Sequence, residues 1–245
     1  MAKKTKPKKK VTPRAALTAP VLAPLAWVRR WAVRLVLMVV GIVVVVVLAH
    51  TVFNPTRTHY MLSEERRLGE IDQVWVPIEG IAPVMMRSVV AAEDANFCNH
   101  WGFDIKAIRA ALAEGSYRGA STLSQQVVKN VYLWHGRNWA RKALEGMITP
   151  VMETLWTKRR IIEVYLNVAE FDEGIFGVEA AARHYFGVGP DKLTAVQAAR
   201  LAAVLPSPKT RSASKPTPLL RRRAKQIVDG AATIRADGRA ACFED

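Results

Sequence analysis

Residues 139–168 read WARKALEGMITPVMETLWTKRRIIEVYLNV, and their apolar side chains recur at intervals of three and four positions. This spacing is typical of amphipathic α-helices. The same pattern, with little strict alternation, extends outward into the ranges 105–113, 123–133, 178–185 and 194–204. Only 74–78 favours an extended segment, and 219–235 is predicted to be a surface helix. The sequence therefore predicts a mainly α domain.

An apolar stretch precedes this domain, since residues 35–53 contain no Asp, Glu, Lys or Arg. As a helix it would be about 28 Å long, close to the hydrocarbon core of a bilayer, which is about 30 Å thick. It is longer than the apolar core of a typical cleavable signal peptide. A buried core helix is the alternative, but the stretch is apolar on every side. We therefore predict one uncleaved transmembrane helix within 31–53.

The formal net charge of +15 is concentrated at the N-terminus, because no Asp or Glu precedes Glu64 and ten lysines and arginines precede the apolar stretch. Basic flanks of a membrane helix stay in the cytoplasm. Residues 1–30 are accordingly predicted to be a basic cytoplasmic tail, with the main domain on the other side of the membrane. A nucleic-acid-binding tail is the alternative, but the adjacent anchor favours contact with anionic lipids. We expect no nucleic-acid partner.

The chain has two cysteines, Cys98 and Cys242. Two are too few for a disulfide scaffold, and they form no metal-binding cluster. We expect two free thiols without a special role.

Residues 89–104, VVAAEDANFCNHWGFD, contain the first candidate site. If a helix continues through the two acids, Glu93, Phe97 and His100 share one face. A carboxylate beside aromatic and imidazole groups can have a shifted pKa, which suits a general base. The alternative is that Glu93 and Asp94 are solvated acids at a helix end and that His100 is structural.

A second candidate lies in 119–130, GASTLSQQVVKN, where Ser121 is predicted to be the N-cap of a helix. Thr122, Gln126 and Lys129 then present a hydroxyl, an amide and an ammonium on one face, which suits a sugar or a phosphate. An ordinary capped helix with a polar outer side is the alternative.

A third segment, 137–145, reads RNWARKALE and places Arg141 and Lys142 within one helical turn of Glu145. Taken alone, this spacing is equally typical of a surface ion pair, which contributes little to stability. A fourth segment, 158–187, carries a core stripe and is predicted to be mainly scaffold.

In this order, the four segments resemble glycosyltransferase family 51, the peptidoglycan glycosyltransferases, from about residue 74 to about residue 208. The matches to the first motif are Glu93, Asp94, Phe97, His100, Gly102 and Asp104. The matches to the second are Gly119, Ser121, Thr122, Gln125 and Gln126, followed by Lys129 and Asn130. The matches to the other two are Arg141, Lys142 and Glu145, and Tyr165, Leu166 and Asn167.

The resemblance implies a lysozyme-like, bilobed helical domain at 54–208, followed by a C-terminal tail or helix at 209–245. It also implies that the chain polymerises lipid II into β-1,4 glycan strands, inverting the anomeric carbon and releasing undecaprenyl diphosphate. Glu93, as general base, and Glu145 would be catalytic. The implied substrate-binding residues are Asp94, Phe97, His100, Thr122, Gln126, Lys129, Asn130, Arg141 and Lys142.

The resemblance further implies a single-pass protein of the bacterial inner membrane with a periplasmic catalytic domain. The expected partners are lipid II, the lipid-linked glycan chain, the membrane and proteins of cell division or elongation. No cofactor or resident metal is expected, although a divalent cation such as Mg²⁺ could accompany the diphosphate.

Three other functions are open at this point. A lysozyme-like hydrolase or lytic transglycosylase also uses a catalytic Glu, but it needs an acid for a sugar leaving group, whereas clustered cations suit a diphosphate. A bifunctional enzyme would use a Ser-x-x-Lys motif, which Ser212 and Lys215 match inside a Pro-rich segment. A non-catalytic anchored scaffold would not need either glutamate.

Overall fold

The computed structural model describes residues 19–113, 115, 121–136 and 138–244. The chain divides into two compact units, one ending at Val45 and the other running from Val46 to Asp245. The first unit contains most of a long N-terminal helix. Its stretch Ala26–Ala49 is long and apolar enough to cross a membrane. The predicted basic tail lies largely outside the described residues.

The described residues form eleven α-helices and three short strands. The helices are α1 (Ala19–Ala49), α2 (His59–Leu68), α3 (Pro83–Glu93), α4 (Ile105–Ala113), α5 (Leu123–Tyr132), α6 (Trp139–Leu155), α7 (Lys158–Val168), α8 (Gly177–Phe186), α9 (Ala195–Val204), α10 (Pro218–Ala236) and α11 (Ala241–Glu244). The strands are β1 (Asp72–Gln73), β2 (Glu170–Asp172) and β3 (Ile175–Phe176). The predicted mainly α class with one N-terminal apolar helix is confirmed.

The core of the second unit is built from two helical layers. In one layer, α10 packs against both α3 and α9, and in the other α5 packs against α6 and α7. The alanine-rich helix α9 allows close approach, since Ala198, Ala199 and Leu201 to Val204 are buried. The three strands form a small sheet in the order β1-β3-β2, with β1 parallel and β2 antiparallel to β3.

One prediction from the sequence is wrong at this level, and another is confirmed. The segment 74–78 is not a strand, because the pairing residues are Asp72 and Gln73 and a 3₁₀ turn begins at Ile78. The surface helix predicted at 219–235 forms as α10, and most of its residues are exposed. One face of α10 is buried against α3 and α9, with its core side chains at Leu220, Ala224, Ile227, Ala231 and Ile234.

Candidate active site

Glu93 is the last residue of α3 and lies at the edge of a cavity. This helix ends here because the chain turns at Asp94, so the helix does not continue through the two acids. The expectation that Glu93, Phe97 and His100 share a helical face is therefore wrong. The expectation of solvated acids is wrong as well, since the side chains of Glu93 and Asp94 are only 14% and 3% exposed.

The carboxylate of Glu93 is oriented from α5 and α7. Gln126 Nε2 donates to Glu93 Oε2 over 3.1 Å, and Tyr165 Oη donates to Gln126 Oε1 over 3.3 Å. Burial raises the pKa of the Glu93 carboxyl, while the Gln126 hydrogen bond and nearby cations partly oppose this. Tyr165 was predicted to be part of the scaffold. Its ring is buried as expected, and its hydroxyl in addition orients Gln126.

Asp94 joins the turn after α3 to the start of α5. Its Oδ1 accepts from His100 Nε2 over 2.8 Å and its Oδ2 accepts from the backbone N–H of Leu123 over 3.0 Å. A carboxylate at a helix N-terminus is favoured by the helix dipole. Asp94 and His100 thus lie in the framework around Glu93, and the substrate contacts predicted for them stay predictions.

The N-cap of α5 is Thr122, so the prediction of Ser121 is wrong. Thr122 Oγ1 accepts from the N–H of Gln125, whose side chain accepts in return from the N–H of Thr122. The same hydroxyl donates to the carbonyl of Gly102 over 2.7 Å. Gly102 has φ +80°, and a Cβ there would lie 2.6 Å from Thr149 Cγ2. Glycine therefore lets the loop approach α6.

Phe97 is fully buried and packs near the ring of Phe243, at a centroid distance of 6.3 Å. Its predicted substrate contact remains untested, and this burial supports a packing role. Beside it, Cys98 and Cys242 form a disulfide. The expectation of two free thiols is wrong because the fold brings together two cysteines that are 144 positions apart in sequence.

Glu145 lies near the start of α6 and is only 3% exposed. Its Oε2 accepts from Arg141 Nη1 over 2.7 Å, and its Oε1 accepts from the ammonium of Lys142. Lys142 Nζ also donates to Ser121 Oγ over 3.1 Å. This triad of Arg141, Lys142 and Glu145 is partly buried, so the alternative of a simple surface ion pair is not supported.

Lys129 of α5 is close enough to both Glu93 and Glu145 for their charges to act on it. Burial lowers the pKa of its ammonium; the charges of Glu145 and Glu93 act in the opposite direction, and those of Arg141 and Lys142 add to the lowering. The sequence-predicted acids and cations are therefore brought into one electrostatic cluster.

Two cavities meet at Gln126. The Glu93 cavity, about 430 Å³, is lined by Ala92, Glu93, Ser121, Gln126, Pro206 and Arg223. The Lys129 cavity, about 380 Å³, includes Gln126, Lys129, Asn130, Tyr165 and Lys209 in its wall. In it, His135 Nε2 donates to Asn130 Oδ1 over 3.2 Å, and burial lowers the pKa of His135 to about 3. His135 is therefore neutral at physiological pH.

Two arginines near Glu93 were missed by the sequence reasoning. Arg223 of α10 has Nη2 3.9 Å from Glu93 Oε1, and the charge of Arg211 also acts on Glu93. Both lie in the segment predicted to be a tail, and no local pattern there indicates contact with α3. Gly119 of the second motif lies outside the described residues, as do Ala120 and Arg137 of the candidate segments.

A largely buried glutamate beside clustered cations, in a chain with an N-terminal apolar helix, is compatible with a membrane-anchored glycosyl-transferring enzyme. The profile of the Transglycosylase family matches residues 61–232. A protein named biosynthetic peptidoglycan transglycosylase from Jannaschia sp. (strain CCS1) is 56% identical over 243 residues, covering 99% of each chain.

Two more relatives carry the same name. The one from Pseudomonas fluorescens (strain Pf0-1) is 53% identical over 162 residues, 64% of this chain and 68% of the relative. The one from Stutzerimonas stutzeri (strain A1501) is 47% identical over 204 residues, 79% of this chain and 84% of the relative. The chain belongs to the Transglycosylase family and is a peptidoglycan glycosyltransferase of the cell envelope.

Proposed function

We propose that this glycosyltransferase polymerises lipid II, with Glu93 as its general base. The acceptor is the 4-hydroxyl of the incoming GlcNAc, and the donor is the anomeric carbon of the growing lipid-linked strand. The acceptor oxygen forms a bond to that carbon on the face opposite the leaving group, and its proton passes to Glu93. The bond to the diphosphate breaks, its electron pair leaves with undecaprenyl diphosphate, and the configuration changes from α to β.

The observation that carries this proposal is the position of the Glu93 carboxylate. One oxygen accepts a hydrogen bond from Gln126, and the residue lines a cavity of about 430 Å³. A base whose pKa is raised by burial accepts a proton more readily than a solvated carboxylate does. Such a group contributes roughly 10²–10⁴-fold to the rate.

The departing diphosphate needs compensation of its negative charge. Lys129 faces a cavity next to Glu93, and Arg141 and Lys142 are held by Glu145. We assign to Glu145 the orientation of these two cations and to all three cations the stabilisation of the leaving group. Gln126 and Asn130 would then orient the sugar and phosphate from the same helix.

Glu145 is not available as a ligand for a divalent cation such as Mg²⁺, because each of its carboxylate oxygens already accepts a hydrogen bond from a cationic side chain. The described residues also contain no group of three or more His, Cys, Asp or Glu side chains placed to hold a metal. We therefore propose that any such ion is bound mainly by the diphosphate of the substrate and is not a resident cofactor.

We further propose that the N-terminus is cytoplasmic and that the second unit lies in the periplasm. The excess of basic residues before α1 supports this orientation. The Cys98–Cys242 disulfide supports it independently, because disulfides persist mainly in oxidising compartments. Proteins of division or elongation remain proposed partners.

The test is the Glu93→Gln variant of the full chain, assayed with labelled lipid II and, in parallel, with finished glycan strands. We expect polymer from the parent with the first substrate, no fragments with the second, and at least about 10²-fold less polymer from the variant. Glu70→Gln is the matched control, since Glu70 is exposed. Normal turnover by a folded Glu93→Gln variant would remove Glu93 from the role, and cleavage of strands would indicate a hydrolase.

A further inference from the structure

Arg223 reaches Glu93 from the C-terminal helix α10. Its Nη2 lies 3.9 Å from Glu93 Oε1 and 3.4 Å from the carbonyl oxygen of Ala92, to which it donates. The side chain is 39% exposed, so it spans from solvent to the wall of the Glu93 cavity. One guanidinium therefore contacts both the end of α3 and the carboxylate that this helix presents.

The two oxygens of Glu93 have different surroundings. Oε2 accepts from Gln126, whereas Oε1 is buried and has no hydrogen-bond partner among the described residues. Arg223 Nε is also buried and has no partner there. A buried carboxylate oxygen without a hydrogen bond is costly unless an opposite charge is near. The guanidinium of Arg223, 3.9 Å away, supplies that charge.

Charged and titratable groups face Glu93 from four elements or segments. They are Arg223 from α10, Lys129 from α5, Arg211 from the segment before α10, and Tyr165 from α7. Burial raises the pKa of Glu93, and among the charges that oppose this the largest is Arg223. Tyr165 stays neutral, because burial raises the pKa of its phenol well above the ordinary value.

The cations thus divide between two tasks. Lys129 lies among Glu145, Arg141 and Lys142 and is proposed to serve the diphosphate. Arg223 lines the Glu93 cavity but not the Lys129 cavity. Glu93 must be ionised to accept a proton, and a donor diphosphate bound at Lys129 would weaken the compensation that Lys129 gives it. Because Arg223 does not line the Lys129 cavity, it can compensate the charge of Glu93 even while a diphosphate occupies Lys129.

We propose that Arg223 is a positioning residue of the transfer reaction, which holds the Glu93 carboxylate in place at the end of α3 and keeps it ionised while the donor is bound. This inference rests on the proposed role of Glu93 as general base. It extends the functional part of the chain to α10, beyond the segment where the sequence predicted the catalytic domain to end.

The experiment measures kcat and KM for lipid II between pH 5.5 and 9 with the purified full chain. Arg223→Gln should move the acidic limb of the kcat profile to higher pH, since loss of the cation favours the protonated carboxyl. We expect kcat at pH 6 to fall about tenfold, the size expected for an opposite charge at this distance, and to recover to within about threefold at pH 8.5. Arg223→Lys should restore much of the activity at pH 6.

Arg222→Gln is the matched control, because it removes the same charge from an exposed position one residue away on α10. Its pH profile should equal that of the parent. Circular dichroism and the unfolding temperature verify the fold of each variant. An unchanged limb in folded Arg223→Gln would overturn the inference, and so would a rise in KM alone, which would place Arg223 in substrate binding.

The Glu93→Gln variant separates failure of this inference from failure of the proposed function. If Glu93→Gln is active, the base assignment fails and Arg223 has no base to act on. If Glu93→Gln is inactive and folded Arg223→Gln keeps the profile of the parent, only the role of Arg223 fails.

Discussion

At the scale of single residues, the ammonium of Lys129 lowers the stability of the free enzyme but is placed to bind an anion. Its ammonium is largely removed from water, and no hydrogen bond from it is found within the described residues. Glu145 and Glu93 attract it, but Glu145 is already engaged by Arg141 and Lys142. Burial consequently prevails, and the pKa of Lys129 is lowered. An arriving diphosphate would supply the missing partner.

We therefore expect Lys129→Met to lower transferase activity by at least about 10²-fold while raising the unfolding temperature at pH 7. The sign follows from linkage: an ammonium with a lowered pKa destabilises the fold while it is protonated, and this cost is relieved as pH rises toward its ordinary value. The gain in unfolding temperature should accordingly shrink as pH rises toward about 10, the ordinary pKa of a lysine, and be lost above it.

Lys192→Met is the control, because Lys192 is exposed and lies in a different segment, after α8. It should change neither activity nor stability appreciably. A Lys129→Met variant that is less stable than the parent at pH 7 would show that this ammonium is compensated in the free enzyme.

At the scale of elements, periodicity predicts helices better than it predicts what they pack against. The bounds of α4 equal the predicted range 105–113, and α6 and α7 together span the helical stretch 139–168. The strand prediction at 74–78 failed for a physical reason. The strand β1 has only two residues, which pair with the distant strand β3, and so short a strand leaves no alternating pattern of apolar residues in the sequence. In α10, the many arginines and lysines drew attention away from a stripe of buried apolar residues, although the spacing of that stripe, three and four positions, can be read from the sequence.

The packing of α10 makes a prediction that separates a structural helix from a tail. Ile227 is 4% exposed in the layer formed with α3 and α9. Ile227→Ala should destabilise the protein by about 2–5 kcal/mol, since a buried side chain is replaced by a cavity. Denaturant unfolding measures this, and Lys225→Ala, at an exposed position of the same helix, should have little effect. Equal stability of the two variants would contradict the observed packing.

At the scale of the whole molecule, the fold joins residues that no local motif connects. Glu93 pairs with Arg223 and Cys98 with Cys242. The motifs identify Glu93, Lys129 and Glu145 because each lies in a short recurrent pattern. They miss Arg223 because its distance from Glu93 depends on how α10 crosses α3, which only tertiary packing determines.

The C-terminus closes over the turn that follows Glu93. Besides the disulfide, Arg239 Nη1 donates to the carbonyl of Ala95 over 2.9 Å, and Phe243 is buried beside Phe97. Arg159 of α7 donates to the carbonyls of Phe243 and Glu244. These contacts hold α11 against the turn between α3 and α4, so the disulfide reinforces packing that other residues already support.

This arrangement links stability to the proposed orientation in the membrane. A crosslink between residues 144 positions apart restricts the unfolded chain, and loss of a native disulfide typically costs about 2–5 kcal/mol. Reduction of the parent, or the Cys98→Ser/Cys242→Ser double variant, should therefore lower the unfolding temperature, and a reductant should not lower it further in the variant.

In cells lysed into a maleimide reagent, we expect both cysteines to be unlabelled unless they are first reduced. Labelling of both without reduction would mean that the second unit faces a reducing compartment, which contradicts the proposed periplasmic location, whereas an unlabelled protein supports the disulfide and the orientation together.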